Sequence, residues 1–204
     1  MSGITAPLMV DLIISLDGYA SAEGWPGWWG LEGPEYLAWL DDQATKVVTM
    51  LMGANTYRLM SGMSGQASEE DSGFSKEEGD SLAGLAAVPK IIFSSTLQEP
   101  LAWPNSELIS SDAVQAVREL KQTRSGTLST LGSLSLSRSL LSAGLVDRYR
   151  LVIFPVITGK TGSERIYDGY PDVALDMVES RTFDGRLQLL EYIPRVIDAP
   201  LGRG

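Results

Sequence analysis

The chain has 204 residues, a formal net charge of −10, and neither cysteine nor histidine. The missing side chains exclude disulfides, thiolate metal sites, cysteine nucleophiles and the imidazole base, so we expect no metal site. Carboxylate, tyrosine, serine and lysine side chains remain as proton carriers, or a bound cofactor performs the chemistry. The acidic charge and the lack of a basic cluster argue against nucleic acid as a partner.

At this length, and with 44% hydrophobic residues, the sequence predicts one domain over residues 1–204. Its apolar runs are shorter than the roughly 18 to 20 residues that a membrane span needs, and the amino terminus lacks the features of a signal peptide. We therefore expect no membrane partner and a cytoplasmic location.

The first predicted element is a buried strand, because residues 8–16 are almost all apolar. Residues 17–33 form a glycine-rich loop with several aromatic side chains, which predicts a lid or the wall of a pocket. Pro34 begins a helix, since proline is favoured at the first helical position. The residues expected on its buried face are Leu37, Leu40 and Ala44, with Trp39 beside them.

A second buried strand is predicted at residues 47–52, followed by a glycine turn and a short helix that ends at Met60. Residues 61–87 are rich in glycine, serine and acidic side chains, which indicates a solvated loop insertion within the domain. The sheet then resumes with a strand at 90–94 and a short one at 107–109.

The last third alternates strands with helices and ends in a hairpin. Asp112 is predicted to cap a helix, and a strand at residues 127–131 leads through a turn into a helix over 134–143. Asp184–Gly185 marks the turn of a hairpin. The strands expected here are 149–156, 173–183 and 187–193. The pattern predicts a three-layer α/β fold with a mostly parallel, mixed sheet of about eight strands and an antiparallel carboxyl-terminal hairpin.

Two strand–turn–helix junctions are typical of phosphate-binding sites. Gly53–Thr56 and Gly132–Ser133 each place glycine beside a polar side chain at the start of a helix, where free N–H groups and the helix dipole favour an anion. A third polar strand end lies at Ser94–Thr96. The alternative for each junction is a tight turn with an ordinary capping side chain.

The order of these motifs resembles the dihydrofolate-reductase superfamily. The motifs are ISLDGYA at 14–20, LMGANTY at 51–57, KIIFSSTL at 90–97 and LGS at 131–133. The run GLVDRYRL at 144–151, with Phe154-Pro155-Val156 and Gly159, is most similar to the branch that contains the reductase domain of the bifunctional riboflavin-biosynthesis deaminase-reductase. The likeness extends over about residues 8–194.

This resemblance implies a dihydrofolate-reductase-like fold, a homodimer, and NADPH bound across the strand ends. The matching positions that would bind the cofactor are Ala20, Gly53, Asn55, Thr56, Ser94, Ser95, Gly132, Ser133 and Leu134. The family commonly has arginine where this chain has Ala54, so NADH is not excluded unless Arg58 or Lys90 supplies the charge.

Asp17 and Tyr36 are the candidate catalytic residues, Asp17 as a substrate contact or proton relay at the end of the first strand and Tyr36 as a hydrogen-bond donor to a substrate carbonyl. The candidate substrate-binding residues are Asp17, Trp25, Tyr36, Pro155 and Gly159. Tyr36 occupies the position of the substrate-binding acid of true dihydrofolate reductases, and Glu35, one residue earlier, is turned by about 100° around the helix. Folate reduction is therefore disfavoured. Asp17 is alternatively a turn residue, Tyr36 a core residue, and the tryptophans at 25, 28 and 29 a cap on the rim of the core.

The sequence thus predicts an NADPH-dependent reductase of a small planar heterocycle, such as a pteridine or pyrimidine. The alternative is a nucleotide- or ligand-binding protein that kept the fold without catalysis, because the displaced acid and the missing arginine are also what loss of activity would produce.

Overall fold

Ten strands and five helices make up the described part of the chain, which in this computed structural model comprises residues 5–24, 29–67 and 76–198. The strands are β1 (Leu8–Ser15), β2 (Tyr19–Ala22), β3 (Val47–Gly53), β4 (Lys90–Phe93), β5 (Ser106–Ile109), β6 (Thr127–Thr130), β7 (Arg148–Phe154), β8 (Gly162–Arg165), β9 (Val173–Phe183) and β10 (Leu187–Val196). The helices are α1 (Pro34–Ala44), α2 (Ala54–Gln66), α3 (Lys76–Ala87), α4 (Ala113–Thr123) and α5 (Leu134–Ser142). None of the helices in these ranges is both long enough and apolar enough to cross a bilayer.

Eight strands form one sheet in the order β5-β4-β3-β6-β1-β7-β10-β9. The pairs from β5 to β7 are all parallel, whereas β10 runs antiparallel to both of its neighbours. The prediction of a mostly parallel, mixed sheet with an antiparallel carboxyl-terminal hairpin is confirmed. A separate ribbon of β2 and β8, which the sequence analysis did not predict, uses part of the segment expected to be a lid.

Helices cover both faces of the sheet because successive residues of a strand point to opposite sides. On one face, Val10 and Leu12 of β1 pack in a core with side chains of α4 and α5. On the other face, Ile13 packs against the cluster that contains Trp39 of α1. Met52 of β3 lies in a third cluster with side chains of α2 and α3. The result is the three-layer arrangement of a dihydrofolate-reductase-like fold.

Two local predictions are confirmed in detail. Asp184 and Gly185 have φ angles of 51° and 67°, as a two-residue hairpin turn of type I′ requires. Asp112 caps α4, because its carboxylate accepts a hydrogen bond of 2.8 Å from the N–H of Gln115. In both places the residue types act through their nearest neighbours in the chain.

The prediction of a solvated loop at 61–87 is wrong for the described residues of that range, and residues 68–75 lie outside the described part of the chain. Helix α2 continues to Gln66, and α3 occupies Lys76–Ala87. The segment is mostly acidic, but it also contains a few apolar residues at helical spacing. One of them, Leu82, is only 4% exposed and packs in the cluster that α2 and α3 share. The buried face of α1 is only partly as predicted: Tyr36 and Trp39 are buried, whereas the predicted residues Leu37, Leu40 and Ala44 are half-buried.

Candidate active site

A large cleft runs along the carboxyl ends of β3 and β6 and continues over the sheet between α1 and α3. Its volume is about 1730 Å³, compared with roughly 300 to 1000 Å³ for a typical small-molecule pocket. The outer part is lined by the first turns of α2 and α5 and by the β2–β8 ribbon. The inner part has the sheet as its floor. A dinucleotide and a second small molecule both fit in a space of this size.

The two predicted phosphate turns face each other at the mouth of this cleft. Because β3 and β6 are adjacent parallel strands, the helices that follow them begin side by side. The N–H of Gly53 donates to Ser133 Oγ at 2.8 Å, and Ser133 Oγ lies 2.8 Å from Thr56 Oγ1. Gly132 and Ser133 have positive φ values of 54° and 59°. A non-glycine residue in this conformation is unusual, and it points the Ser133 hydroxyl at the neighbouring turn.

The helix starts at this edge differ from those elsewhere in the fold. The first turn of α4 is capped by its own aspartate, and that of α1 by the carboxylate of Asp184. The residues that precede α2 and α5 provide no side-chain cap within the described part of the chain. Helices with free N–H groups at their first turn attract anions. The two uncapped starts therefore make the mouth of the cleft suitable for a phosphate group.

The other predicted cofactor residues fall into two groups. Ala20 of β2, Asn55 of α2 and Leu134 of α5 line the cleft with the two turns. Ser94 and Ser95 follow β4 at the same edge of the sheet but lie outside the lining. The Ser94 hydroxyl instead accepts hydrogen bonds from two N–H groups of its own turn, each at 3.1 Å.

The cations suggested by the sequence are not in the cleft. Arg58 is exposed and donates to Asn55 Oδ1 at 3.3 Å. Lys90 is 1% exposed, and its ammonium group donates to the backbone carbonyls of Ala86, Val88 and Pro104. Burial lowers the pKa of Lys90 to about 8. These two side chains bond to local groups and lie outside the cleft lining, so the structure gives no support to either of them as the source of the cofactor charge.

Two arginines that the sequence analysis did not select line the outer part of the cleft. Arg138 lies in α5, on the helix that starts at the second turn, and its Nε is buried without a hydrogen-bond partner among the described residues. Arg165 of β8 lies across the cleft, with its guanidinium 5.5 Å from the centroid of the Tyr19 ring. The mouth of the cleft thus combines free N–H groups with positive charge.

Tyr36 lines the inner part of the cleft but is fully buried. Its ring packs against the rings of Trp39, Phe154 and Phe183, with centroids 5.7 to 5.8 Å away. Its hydroxyl has no hydrogen-bond partner among the described residues. Glu35 is turned away from this space, as predicted, and accepts a hydrogen bond from the N–H of Asp184.

Asp17 connects two loops at the end of β1. Its carboxylate accepts hydrogen bonds from the Ser15 hydroxyl at 2.7 Å and from the N–H groups of Thr158 and Gly159 at 3.2 and 2.8 Å. Partial burial opposes ionisation, but these hydrogen bonds prevail and lower the pKa of Asp17 to about 2. Asp17, Pro155 and Gly159 lie outside the cleft lining.

The tryptophans of the predicted lid are only partly covered by the structure. Trp25 and Trp28 lie outside the described residues. Trp29 is 5% exposed and packs in the core cluster with Tyr36 and Trp39, which agrees with the alternative that this residue caps the rim of the core.

The sequence analysis missed the charged residues on the floor of the cleft. Asp11 of β1 and Arg150 of β7 line its inner part, and Glu191 of β10 lies next to them. A signal was present, because each charge interrupts an otherwise apolar strand, where an ionised side chain needs a specific reason. The described residues contain no cluster of acidic side chains that could hold a metal ion.

Comparison with known proteins gives the same fold. The family described as RibD C-terminal domain matches residues 6–189. The Bacillus subtilis protein YyaP, itself described as uncharacterized, is 24% identical over 185 residues, which cover 91% of this chain and 93% of YyaP.

Several solved structures resemble most of the chain, and two of them are of similar length to it. A pyrimidine reductase-like protein from Corynebacterium diphtheriae has a TM-score of 0.62 at 18% identity, covering 93% of this chain and 92% of its own. The riboflavin biosynthesis reductase Rib7 of Saccharomyces cerevisiae has a TM-score of 0.58 at 13% identity, covering 96% of this chain and 92% of its own. At these identities the likeness establishes the fold.

Proposed function

The chain belongs to the RibD C-terminal domain family, and we propose that it is a reductase that uses NADPH to reduce a small planar heterocycle. The observation that carries the proposal is the pair of uncapped helix starts at Gly53 and Ser133, which face each other beside a second, enclosed space. One part of the cleft is suited to the phosphates of a dinucleotide, and the other to an uncharged, flat molecule.

The residues at the cleft mouth would bind and orient the cofactor. The backbone N–H groups at the starts of α2 and α5 would hold the pyrophosphate, and the Ser133 hydroxyl keeps the two turns at a fixed distance. Bound NADPH would supply a hydride, a chemistry that needs close approach and alignment more than a side-chain nucleophile. The absence of histidine and cysteine from the chain is compatible with such a reaction.

The inner part of the cleft would bind the substrate. Its walls include the rings of Tyr36 and Trp39, and its floor includes Ile13 and Val152 of the central strands beside the charged side chains of Asp11 and Arg150. Aromatic and aliphatic walls of this kind favour a flat ring system and exclude water from the reacting atoms.

We further propose that Arg138 favours NADPH over NADH. Its guanidinium lines the cleft near the start of α5, and its Nε has no partner among the described residues. A phosphate group can satisfy it through charge-assisted hydrogen bonds. Replacement by methionine is expected to weaken NADPH binding more than NADH binding, and an equal effect on both would refute this role.

Titration of the protein with NADPH and with NADH, followed by nicotinamide fluorescence, tests the cofactor assignment. We expect binding well below millimolar concentration. If neither nucleotide binds in this range, the proposed function is wrong.

Two variants locate the binding site. Gly132→Val places a branched side chain at a φ of 54° beside Thr56, and Ser133→Ala removes the hydroxyl that joins the turns. Both are expected to weaken NADPH binding. Ser139→Ala is the matched control, because Ser139 is exposed on the same helix and bonds only to the carbonyl of Ser135. Unchanged affinity in folded Gly132→Val and Ser133→Ala protein would contradict the assignment.

The alternative is a nucleotide-binding protein without catalysis. The observation in its favour is Tyr36, which stands where the resemblance implies an acid and is enclosed in an aromatic cluster. Tight NADPH binding with no oxidation in the presence of pterins, pyrimidinones and quinazolinones would favour this alternative.

We also propose a homodimer, in line with the family resemblance. The β9–β10 hairpin at the edge of the sheet exposes Leu175, Met177 and Ile193, at 42%, 60% and 43% of their surface. Light scattering after size-exclusion chromatography should give twice the mass of 22.0 kDa, and a monomer mass at micromolar concentration would contradict it.

A further inference from the structure

Three charged side chains lie in a row across the floor of the cleft. The strand register places Asp11 next to Arg150, and Arg150 next to Glu191. Arg150 Nη1 is 3.2 Å from Asp11 Oδ2, and its Nε is 3.2 Å from Glu191 Oε2. The guanidinium also lies over the ring of Trp39, 5.0 Å from its centroid.

The three side chains comprise two carboxylates and one guanidinium group, and they are largely shielded from solvent. The side chains of Arg150 and Glu191 are 8% and 11% exposed. Arg148, the second partner of Glu191, is 39% exposed and contributes less because solvent screens it. One enclosed cation therefore faces two carboxylates, and binding of a proton removes the excess charge at the lowest cost.

Asp11 is the carboxyl group through which that proton can enter and leave. It lines the cleft and is 29% exposed, and among the described residues its Oδ1 accepts no hydrogen bond. The charged and titratable groups that face it are Arg150 on β7, Glu191 on β10 and Tyr36 on α1. Burial raises the pKa of Asp11; Arg150 opposes this and Glu191 adds to it, so that the pKa lies above its ordinary value.

The other carboxylates along the cleft are in a different situation. They are exposed to water at its rim: Asp41, Asp80, Glu164 and Asp168. Tyr36, the other titratable group of the inner part, has a pKa raised well above its ordinary value by burial, so it keeps its proton. Asp11 alone among these described groups combines enclosure, access to the cleft and a carboxyl pKa above its ordinary value.

We propose that Asp11 is the proton donor of the reduction, taking the place of the helix acid that this chain lacks. This inference rests on the proposed function, since it needs a hydride donor in the same cleft. When the carbon of a substrate C=N or C=O bond accepts the hydride, a C–H bond forms and the π electron pair moves to the nitrogen or oxygen. That atom takes the proton of the Asp11 carboxyl group, and the nicotinamide is left oxidised.

Arg150 prepares Asp11 for this step. After proton transfer, the new carboxylate remains 3.2 Å from the guanidinium, which stabilises it until solvent returns a proton through the cleft. Glu191 holds the other side of Arg150 and limits this stabilisation, so that Asp11 takes up a proton again. Arg150 and Glu191 are thus positioning residues.

A carbon-13 NMR titration of the aspartate carboxyl groups tests the protonation of Asp11 without cofactor or substrate. Comparison with Asp11→Asn assigns the resonance. We expect Asp11 to titrate above the ordinary range of an aspartate carboxyl group, and Glu191→Gln to lower the midpoint of Asp11 because one negative charge is removed. A midpoint of Asp11 at or below that ordinary range, or no response to Glu191→Gln, would overturn the proposal.

The second test is NADPH oxidation with a panel of pterins, pyrimidinones and quinazolinones. Asp11→Asn is expected to leave NADPH affinity within about twofold, because the carboxylate bonds to Arg150 and not to the turns at Gly53 and Ser133 among the described residues. It is expected to lower kcat by about 100-fold or more, as for loss of a general acid. Asp176→Asn, on exposed β9, is the matched control. Glu191→Gln should shift the alkaline limb of the kcat profile to lower pH, which a purely structural role would not do.

The outcomes separate the two proposals. If the wild-type protein binds no NADPH or reduces no panel compound, the proposed function fails and this inference fails with it. If the wild-type protein is active and Asp11→Asn retains its kcat and pH profile, only the role of Asp11 is refuted. If Asp11→Asn does not fold, Glu191→Gln provides the test, because that variant keeps the Asp11 carboxyl group. The role of Asp11 is then refuted if neither the titration midpoint of Asp11 nor the alkaline limb of the kcat profile moves to lower pH.

Discussion

The amino-terminal end of α1 is capped by the side chain of Asp184, which lies far away in the chain, and substitutions can measure how much this cap stabilises the fold. The Asp184 carboxylate accepts hydrogen bonds from the N–H groups of Glu35 at 3.0 Å and Tyr36 at 3.2 Å. The Glu35 carboxylate in turn accepts from the N–H of Asp184 at 2.8 Å. This reciprocal arrangement is a capping box made by two distant segments.

Replacement of Asp184 by glycine removes the cap and preserves the turn, because glycine tolerates the φ of 51° at this position. Loss of a capping side chain costs about 0.5 to 2 kcal/mol, and loss of a negative charge at a helix start adds about 0.3 to 1 kcal/mol. We expect the free energy of unfolding to fall by about 2 kcal/mol. For a chain of this size, Tm should fall by about 4 to 8 °C.

Gly33, the residue before α1, lies directly against the Asp184 carboxylate. A Cβ at this position would lie 2.2 Å from the Asp184 Cγ, where carbon atoms normally approach to about 3.5 to 4.0 Å. Gly33 has a φ of −113°, which any residue adopts, so steric contact and not backbone strain makes Gly33→Ala costly. The alanine should displace the Asp184 side chain and break the same two hydrogen bonds.

Urea unfolding of Gly33→Ala, Asp184→Gly and the double variant measures the coupling between the two positions. The cost of Gly33→Ala should be about 2 kcal/mol alone and should fall close to zero in the Asp184→Gly background. Gly62→Ala in α2 is the control, because nothing lies within 4 Å of a Cβ there. An equal cost of Gly33→Ala in both backgrounds would show that Asp184 does not hold α1 as described.

Three further predictions concern single residues. Gly126→Ala should cost about 1 to 3 kcal/mol in urea unfolding, because Gly126 has a φ of 85° and a Cβ there would lie 2.3 Å from Val48 Cγ2; Val48→Ala in the same chain should recover part of the loss. The pKa of Asp17 is lowered from 3.8 to about 2, so its stabilisation is present above pH 4 and is lost as pH falls towards 2; Asp17→Asn should flatten acid unfolding in that window, and an unchanged profile would contradict this role. Lys90→Met should lower Tm because three backbone carbonyls lose their donor, and a Tm equal to that of the wild type would show that these hydrogen bonds contribute nothing.

The predictable part of the fold is the part that depends on neighbours in the chain. Strands such as β1 and β7 are predicted from their apolar runs, and the turn at Asp184–Gly185 from its residue types. The solvated loop at 61–87 was wrong because helix formation there depends on packing of a few residues, such as Leu82, against α2. Composition alone does not reveal a buried face.

Some features of the candidate site are also predictable from the sequence, and others depend on the tertiary structure. The glycine turns at Gly53 and Gly132 are visible in the sequence because glycine and small polar residues are what such turns require. In the described part of the chain α2 and α5 start without a capping side chain. The cap of α1 comes from Asp184, through contacts over 149 and 148 residues that have no local signal in the sequence. Which helix end is free to bind an anion is therefore a property of the assembled fold.

The sequence by itself determined the layers, the parallel sheet, the closing hairpin and two turns suited to phosphate, because each depends on residue types within a few positions of one another. Only the tertiary structure decided that Asp17 ties loops together, and that Asp11 and Arg150 share the floor of the cleft. The physical reason is register: strands distant in the chain become neighbours in the sheet, and a charge that looks misplaced in an apolar strand gains its partner only there.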